Sequence, residues 1–414
     1  MSAHGLAAAP VNRKFFTPGV GVLMVLAAIA GGLALYRFVF GLASMTNLDD
    51  RYPWGLWIAV DVATGVALAA GGFTSAALTH IFHRGRYLPV VRPALLTAML
   101  GYTFVGLGLM VDLGRYYNIW HPAWPTMWQG NSVLFEVGMC VMAYLTVLYI
   151  EFLPIVCEWS RKGGRLWGPL AVFQNPVKRF LEVAERTLSK TMVVFIIAGV
   201  VLSCMHQSSL GALMLIAPYK VHPLWYTPIL PLLFLLSAIA VGFPMVIFES
   251  MVSAKSFRRE PEMHVLTPLS RLALLFLGIY MAAKITDLMV RNAYGHLWDG
   301  SFASTMFMVE VGAGVLLPFC MLLSGRVRRS PSWLFIANTL IVLGVALNRI
   351  NVYIVAYQPH YATHRYVPSI GEILITLGLI ATLMLVYRVF VTIFPVLPAV
   401  EGDALPALGR RAEG

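Results

Sequence analysis

Two glutamates stand in nearly the same surroundings, Glu136 in FEVG (135–138) and Glu310 in VEVG (309–312), 174 residues apart. Each places a carboxylate inside an apolar run. Near the first copy, apolar runs also hold Asp61, Asp112 and His206, with Gln207 beside the imidazole and Arg115 just past Asp112. A carboxylate and an imidazole pass protons, and a side-chain amide or imidazole holds a carbonyl oxygen. Together they could exchange protons with a bound redox molecule, with Glu136, Asp112 and His206 as the reacting set. Near the second copy lie Lys284, Asp287 and Arg349. With Glu310 they make two cations and two anions, which suits internal ion pairing or proton conduction. Glu151 and His83 lie toward the other ends of their runs and could form a proton exit there.

The same inventory excludes resident metal chemistry. Cys140, Cys157, Cys204 and Cys320 all fall in apolar runs without a C-x-x-C pair; an iron–sulfur cluster needs about four thiolates at set spacing. They read as buried, inert thiols. His80 and His83 are one helical turn apart, but His206, the other histidine deep in an apolar run, belongs to the opposite half. No bis-imidazole haem and no metal site are expected.

The elements that must carry these residues are transmembrane. Of 414 residues, 59% are hydrophobic and 12% charged, with a mean hydropathy of +0.76. A soluble domain is nearer half apolar and a quarter charged. Apolar runs long enough to span a bilayer cover about 20–42, 54–82, 92–116, 131–157, 189–216, 224–252, 269–292, 302–324, 332–357 and 369–396. Ten spans put both termini on one side. That side carries twenty-one Lys/Arg residues in its loops and ends against six on the other, so the positive-inside rule places both termini in the cytoplasm. The +11 net charge is largely accounted for by these loops, and nucleic acid is not an expected partner.

At 1.5 Å per residue, Asp61, Asp112 and Glu136 lie about 10, 6 and 8 Å below the outer face and His206 about 15 Å. Four consecutive helices would each place a polar side chain in the outer half. The outer loops 116–130, 217–226, 293–302 and 357–368 are dense in Trp, Tyr, His and Pro, which fits an aromatic belt, a protein-docking face, or both. The inner loop 158–190 reads as carrying an amphipathic surface helix at about 174–187. The segment from 398 on reads as disordered.

The spacing of the two glutamates is matched by Asp112-Leu and Asp287-Leu, 175 residues apart. A nearly constant offset is consistent with duplication of a four-helix unit. An even number of helices keeps the copies parallel. The expected fold is therefore all-α and polytopic: two parallel-repeat four-helix bundles plus flanking helices 1 and 10. The expected divisions are an N-terminal segment 1–19, helix 1 with its loop 20–53, a first bundle 54–221, a second bundle 222–362, helix 10 at 363–397 and a tail 398–414.

The stretch NLDDRYPWGLWIAVDVATGVALAAGGF (47–73), the Asp112–Arg115 run, FEVG and MHQSSLG (205–211) resemble the NrfD/polysulfide-reductase (PsrC) membrane-subunit family. Within it, they are most like the branch serving periplasm-facing [NiFe] hydrogenases. The resemblance implies a cofactor-free membrane subunit that exchanges electrons and protons with menaquinone or ubiquinone near the outer face. It further implies a ferredoxin-like four-cluster iron–sulfur partner and catalytic large and small subunits, of [NiFe] hydrogenase type or else molybdopterin or multihaem type. By position it assigns Asp61, Asp112, Glu136 and His206 to the quinone site, with Arg115 and Gln207 beside them. Residues 83, 151, 284, 287, 310 and 349 would serve any proton path. The location implied is the bacterial inner membrane. Two competing readings stand beside this one. A secondary transporter or proton channel would act without a partner. A structural anchor would tolerate Asp112→Asn and Glu136→Gln.

Overall fold

The computed structural model describes residues 8–165 and 168–399. It is a bundle of ten helices, each long and apolar enough to cross a membrane: α1 Pro18–Phe40, α2 Trp57–Ile81, α3 Gly85–Asp112, α4 Val133–Arg161, α5 Ala171–Leu215, α6 Leu230–Ser256, α7 Met263–Val290, α8 Phe302–Leu323, α9 Pro331–Val355 and α10 Ile370–Ile393. The chain is a multi-pass, all-α membrane protein. Local signals set many of the helix starts. Thr17 caps α1 ahead of Pro18, and Ser132 and Ser301 cap α4 and α8 through their hydroxyls. Ser369 and Glu372 close a reciprocal capping box on α10.

Packing separates the buried helices from the lipid-facing ones. In α2, 78% of the most apolar window is buried, against 11% in α1; α2 is the central post and α1 a peripheral one. Helix α2 packs on α3, α6 and α9, while α1 packs on α10, which in turn packs on α3. Successive contacts α3–α4, α4–α5, α5–α6, α6–α7, α7–α8 and α8–α9 complete the bundle, with α6 also against α9. The crossing of α8 and α9 is a backbone contact: a Cβ at either Gly314 or Gly344 would collide with the Cα of the other.

Three helices loosen into π-helical turns, at Trp57–Thr64 and Ala77–Ile81 in α2, Gly312–Leu316 in α8 and Asn351–Val355 in α9. All but Ala77–Ile81 include or adjoin Asp61, Glu310 or Arg349. Such turns recur at functional sites, since the inserted residue re-aims side chains inside an otherwise regular helix.

Two expectations change. The segment 174–187 is not a separate surface helix. It is the first part of one uninterrupted helix, Gln174–Leu215, 42 residues long, or about 63 Å, roughly twice the hydrocarbon thickness. An Arg161–Glu185 ion pair of 3.0 Å and the Cys157 thiol donating to the Leu181 carbonyl at 3.5 Å hold this extension beside the end of α4. Nor are all four thiols buried: Cys140 and Cys157 are, Cys204 is half-buried and Cys320 is exposed on the bundle's apolar surface.

The two ends of the chain meet on one face. Ala8–Ala9 (β1) pairs antiparallel with Leu397–Pro398 (β2), and Arg92 donates to the Pro395 carbonyl at 2.9 Å. This is called the terminal face below. Residue 398 is thus part of this pairing; the remainder of the expected disordered tail, from 400, lies outside the described residues.

Candidate functional site

The carboxylates expected to share one pocket fall into separate neighbourhoods. Asp61 and Asp112 turn toward α1 and α10. In the π-turn of α2, Asp61 accepts the Thr376 hydroxyl of α10 at 2.7 Å. Asp112, the last residue of α3, has Glu372, Arg37 and Asp61 as its charged neighbours. Arg37, the last basic residue of α1, is 1% exposed. Its Nη2 donates to the Leu113 carbonyl at 2.5 Å, and its guanidinium lies 5.1 Å from the Phe38 ring and 5.3 Å from the Tyr116 ring. Two polar atoms in this group are buried without a hydrogen-bond partner among the described residues: Arg37 Nε and Asp112 Oδ1. Buried polar atoms are satisfied in the great majority of cases, and a donor and an acceptor left open in one cluster could be met by a ligand or by water.

Glu372 frames this cluster. Fully buried, it accepts from Ser369 N at 2.8 Å, Asn47 N at 3.3 Å and the Tyr366 hydroxyl. Its backbone carbonyl accepts from Trp57 Nε1 at 3.1 Å. The loop before α2 closes over it: a Cβ at Gly55 would lie 2.8 Å from Tyr366 Oη and 3.1 Å from Glu372 Oε1. This explains the glycine in YPWGLW. Arg115 is exposed and outside the cluster. The cation of this site is Arg37 instead, so the first set of carboxylates is not short of positive charge.

Glu136 and His206 belong with α3, α4 and α5. Glu136, in the first turn of α4, is exposed on the bundle surface, and its Oε1 accepts the Ser209 hydroxyl at 2.5 Å. Three residues before Ser209 on the same helix face, His206 is completely buried. Its Nδ1 lies 2.7 Å from the Leu202 carbonyl, which can only accept. Nδ1 therefore carries the proton, and Nε2 accepts from the Tyr102 hydroxyl. Tyr144 packs on both rings, with centroids 4.7 Å from Tyr102 and 5.4 Å from His206. Gln207 Nε2 donates to the Val66 carbonyl of α2 at 2.8 Å. Lower on α4, Glu151 packs against Gly199, where a Cβ would lie 2.8 Å from its Oε1. His83 is exposed at the terminal face, with φ of 53°.

In the second set the Glu310 carboxylate is saturated, while Arg349 Nε and Asn351 Oδ1 beside it are buried without a partner among the described residues. Glu310 Oε1 accepts from Lys284 Nζ and from Asn348 Nδ2 at 2.8 Å. Its Oε2 accepts from Trp225 Nε1 at 2.9 Å and Asn351 Nδ2 at 2.8 Å. Arg349 does not pair with a carboxylate. It donates to Asn348 Oδ1 at 2.6 Å and to Ser237 Oγ at 2.8 Å, with its guanidinium 3.8 Å from the Phe234 ring centroid. Asp287 pairs with Arg291 at 2.8 Å, a residue counted from sequence as an outer-loop charge, and accepts the Thr227 hydroxyl at 2.5 Å.

Besides Glu372, the sequence reading passed over one further buried carboxylate. Glu249, in the half of α6 toward the terminal face, lies among Thr97 and Tyr387. With Tyr387, Ser250, Ser253 and Arg259 it lines a cavity of about 50 Å³ that opens at that face, with room for roughly three waters. Its signal was a lone Glu in FES (248–250) within an apolar run.

With this geometry in view, the comparisons with known proteins are direct. The sequence profile described as "Polysulphide reductase, NrfD" matches residues 44–359. The chain belongs to the NrfD polysulphide reductase family. It is 37% identical to a protein of Nitratidesulfovibrio vulgaris, over 94% of this chain and 97% of the other. It is 35% identical to the probable Ni/Fe-hydrogenase 2 b-type cytochrome subunit of Escherichia coli K12, over 95% of both chains. At 25% identity it matches the integral membrane subunit of a menaquinone reductase of N. vulgaris, over 89% of both. A b-type haem held by two imidazoles does not fit this NrfD-family chain. Both ring nitrogens of His206 are engaged, and His80 and His264, the other histidines within described spans, are exposed at the terminal-face ends of α2 and α7.

Proposed function

We propose that this chain is the quinone-reactive membrane subunit of a respiratory oxidoreductase complex in a bacterial inner membrane, with the terminal face cytoplasmic. The partners proposed on the opposite face are a ferredoxin-like four-cluster iron–sulfur subunit and a [NiFe] hydrogenase module. A relative whose name gives a Ni/Fe-hydrogenase and another whose name gives a menaquinone reductase support this reading. So does the loop face rich in exposed Trp120, Trp124, Trp128 and Trp298, a composition suited to a protein interface.

The observation that carries the proposal is the open pair Arg37 Nε and Asp112 Oδ1, buried among α1, α2, α3 and α10. A quinone head needs a donor at a carbonyl and a group that gives and takes a proton there. Arg37 supplies the first and Asp112 the second, with Asp61 a hydrogen-bonded carboxyl behind it. Each quinone reduced to quinol takes two electrons, from the iron–sulfur partner, and two protons. Glu136 with Ser209, and His206 with Tyr102, are proposed as relays serving the same chemistry from the α4–α5 side. Protons drawn from the cytoplasm are proposed to enter by the cavity at Glu249, which would couple turnover to charge movement.

The test is the assembled complex with a water-soluble quinone. Asp112→Asn and Arg37→Gln are expected to leave partner co-purification and dye-linked activity of the catalytic module intact while lowering quinone-linked turnover. Wild-type quinone turnover in both variants would refute the site.

A further inference from the structure

A second cluster of chemistry-bearing side chains lies on the face opposite the termini. His222 sits in the loop between α5 and α6, and His296 and Asp299 in the loop between α7 and α8. One potential ligand atom from each lies within 4.8 Å of the other two. The two imidazoles are 5.5 Å apart between centroids and inclined at 73°, and His296 Nδ1 is 3.8 Å from Asp299 Oδ2. A tetrahedral ion with bonds of about 2.0–2.1 Å needs ligand atoms roughly 3.3 Å apart, so rotations of about an ångström would close the site.

The side chains are held for this. His222 is anchored through its backbone: its N–H donates to the Ala356 carbonyl at 2.8 Å, and its own carbonyl accepts from Trp225 and Tyr226 N–H at 3.0 Å each. Leu224 N–H approaches His222 Nδ1 at 3.3 Å, a contact long enough to yield to a metal bond. Asp299 spends Oδ1 on Ser301 N–H at 2.9 Å and leaves Oδ2 turned toward His296. Arg291, which reaches the same loop at the Pro223 carbonyl, is neutralised by Asp287.

We propose that His222, His296 and Asp299 bind one divalent transition-metal ion of the zinc type, completed by water. Two imidazoles and one carboxylate are a zinc-like donor set with open positions. The ion would tie the two loops together at a defined place. Pro223 accepts from Arg291 Nη1 at 2.7 Å, and Leu224, Trp225 and Arg291 line a small cavity leading to Lys284 and Asn348. The bound ion would cap the route from the outer face to the Lys284–Glu310 pair.

The measurement is equilibrium dialysis of the full-length chain, purified in detergent on a tag without histidines, against zinc chloride at neutral pH. Co²⁺ serves as a spectroscopic probe of coordination. One zinc per chain is expected at micromolar concentrations, with visible Co²⁺ bands of low-coordinate geometry. His222→Ala with His296→Ala should remove that equivalent. Asp299→Asn, a loop change that spares the core, should weaken zinc at least tenfold. Circular dichroism and metal-free thermal unfolding report folding of each variant. Zinc binding within twofold of wild type in all variants, or less than a tenth of an equivalent in the wild type at 100 µM zinc, overturns the proposal.

Discussion

Arg37 illustrates how a single residue escapes sequence reasoning. It stands at the end of the first apolar run, where a lysine or arginine ordinarily reaches the headgroups, and by position it is one of the six Lys/Arg residues on the outer side. Here it is buried against Leu113, Phe38 and Tyr116 because α1 packs back on the bundle beside α10. The candidate carboxylates were legible, since a charge in an apolar run is costly and conspicuous. Their grouping was not, because depth along a helix says nothing about which side of it a residue occupies. Asp112→Asn keeps the size and polarity of the side chain but removes the proton carrier. Quinone-linked turnover of the assembled complex is expected to fall by about 100-fold, the scale of a lost general acid or base, with dye-linked activity unchanged. The saturated Glu310 site predicts a different signature. Glu310→Gln leaves Lys284 as an unpaired buried cation, which costs about 3–5 kcal/mol. Thermal unfolding in detergent should show that loss, and Lys284→Met in the same chain should recover part of it. A single variant as stable as wild type would mean the pair is dispensable to the fold.

At the level of elements, the spans were legible because their signal, twenty or so apolar residues between polar breaks, is set by the bilayer itself. The join between 174–187 and the fifth span was not. Charges such as Lys178, Arg179, Glu182, Glu185 and Arg186 give the first part a polar character, but past Pro176, in the first turn of the helix, no proline or glycine interrupts 177–198. Nothing in the backbone chemistry asks the helix to stop where it leaves the membrane. The π-turns were equally silent, since they depend on how α2, α8 and α9 pack and not on a residue type. The α8–α9 crossing tests this packing. With Gly314 and Gly344 in backbone contact, any side chain at position 344 must push apart helices that carry Glu310 on one side and Asn348, Arg349 and Asn351 on the other. Gly344→Leu is expected to destabilise by about 1–3 kcal/mol or more through overpacking, read as a lower unfolding temperature. A smaller Gly344→Ala change should do less. Equal tolerance of both would show that the helices separate at little cost.

Across the whole molecule, the two faces differ in chemistry. Arginine and lysine concentrate near the termini, and tryptophan and tyrosine on the loops opposite. The positive-inside rule turns that asymmetry into a topology: a reporter active only in the cytoplasm should be active when fused at the C-terminus and silent in the 116–130 loop. The recurrence of carboxylates at the ends of α3 and α7, and again in α4 and α8, is what a duplicated four-helix unit would leave; in the second set Lys284 pairs with Glu310 and Arg291 with Asp287. On the proposed function, proton traffic would rest on the Asp112 side and on Glu249, which lies toward the terminal face while the open Arg37–Asp112 pair lies toward the other. If protons for quinone reduction rise from the cytoplasm while electrons arrive from outside, each turnover moves charge across the membrane. In proteoliposomes carrying the complex with the terminal face inward, turnover should alkalinise the lumen. Glu249→Gln should slow that lumenal uptake several-fold while the Asp112-dependent quinone chemistry persists with protons taken from the other side. Unchanged lumenal uptake in Glu249→Gln, with normal turnover, would show that the cavity at Glu249 holds water without conducting protons.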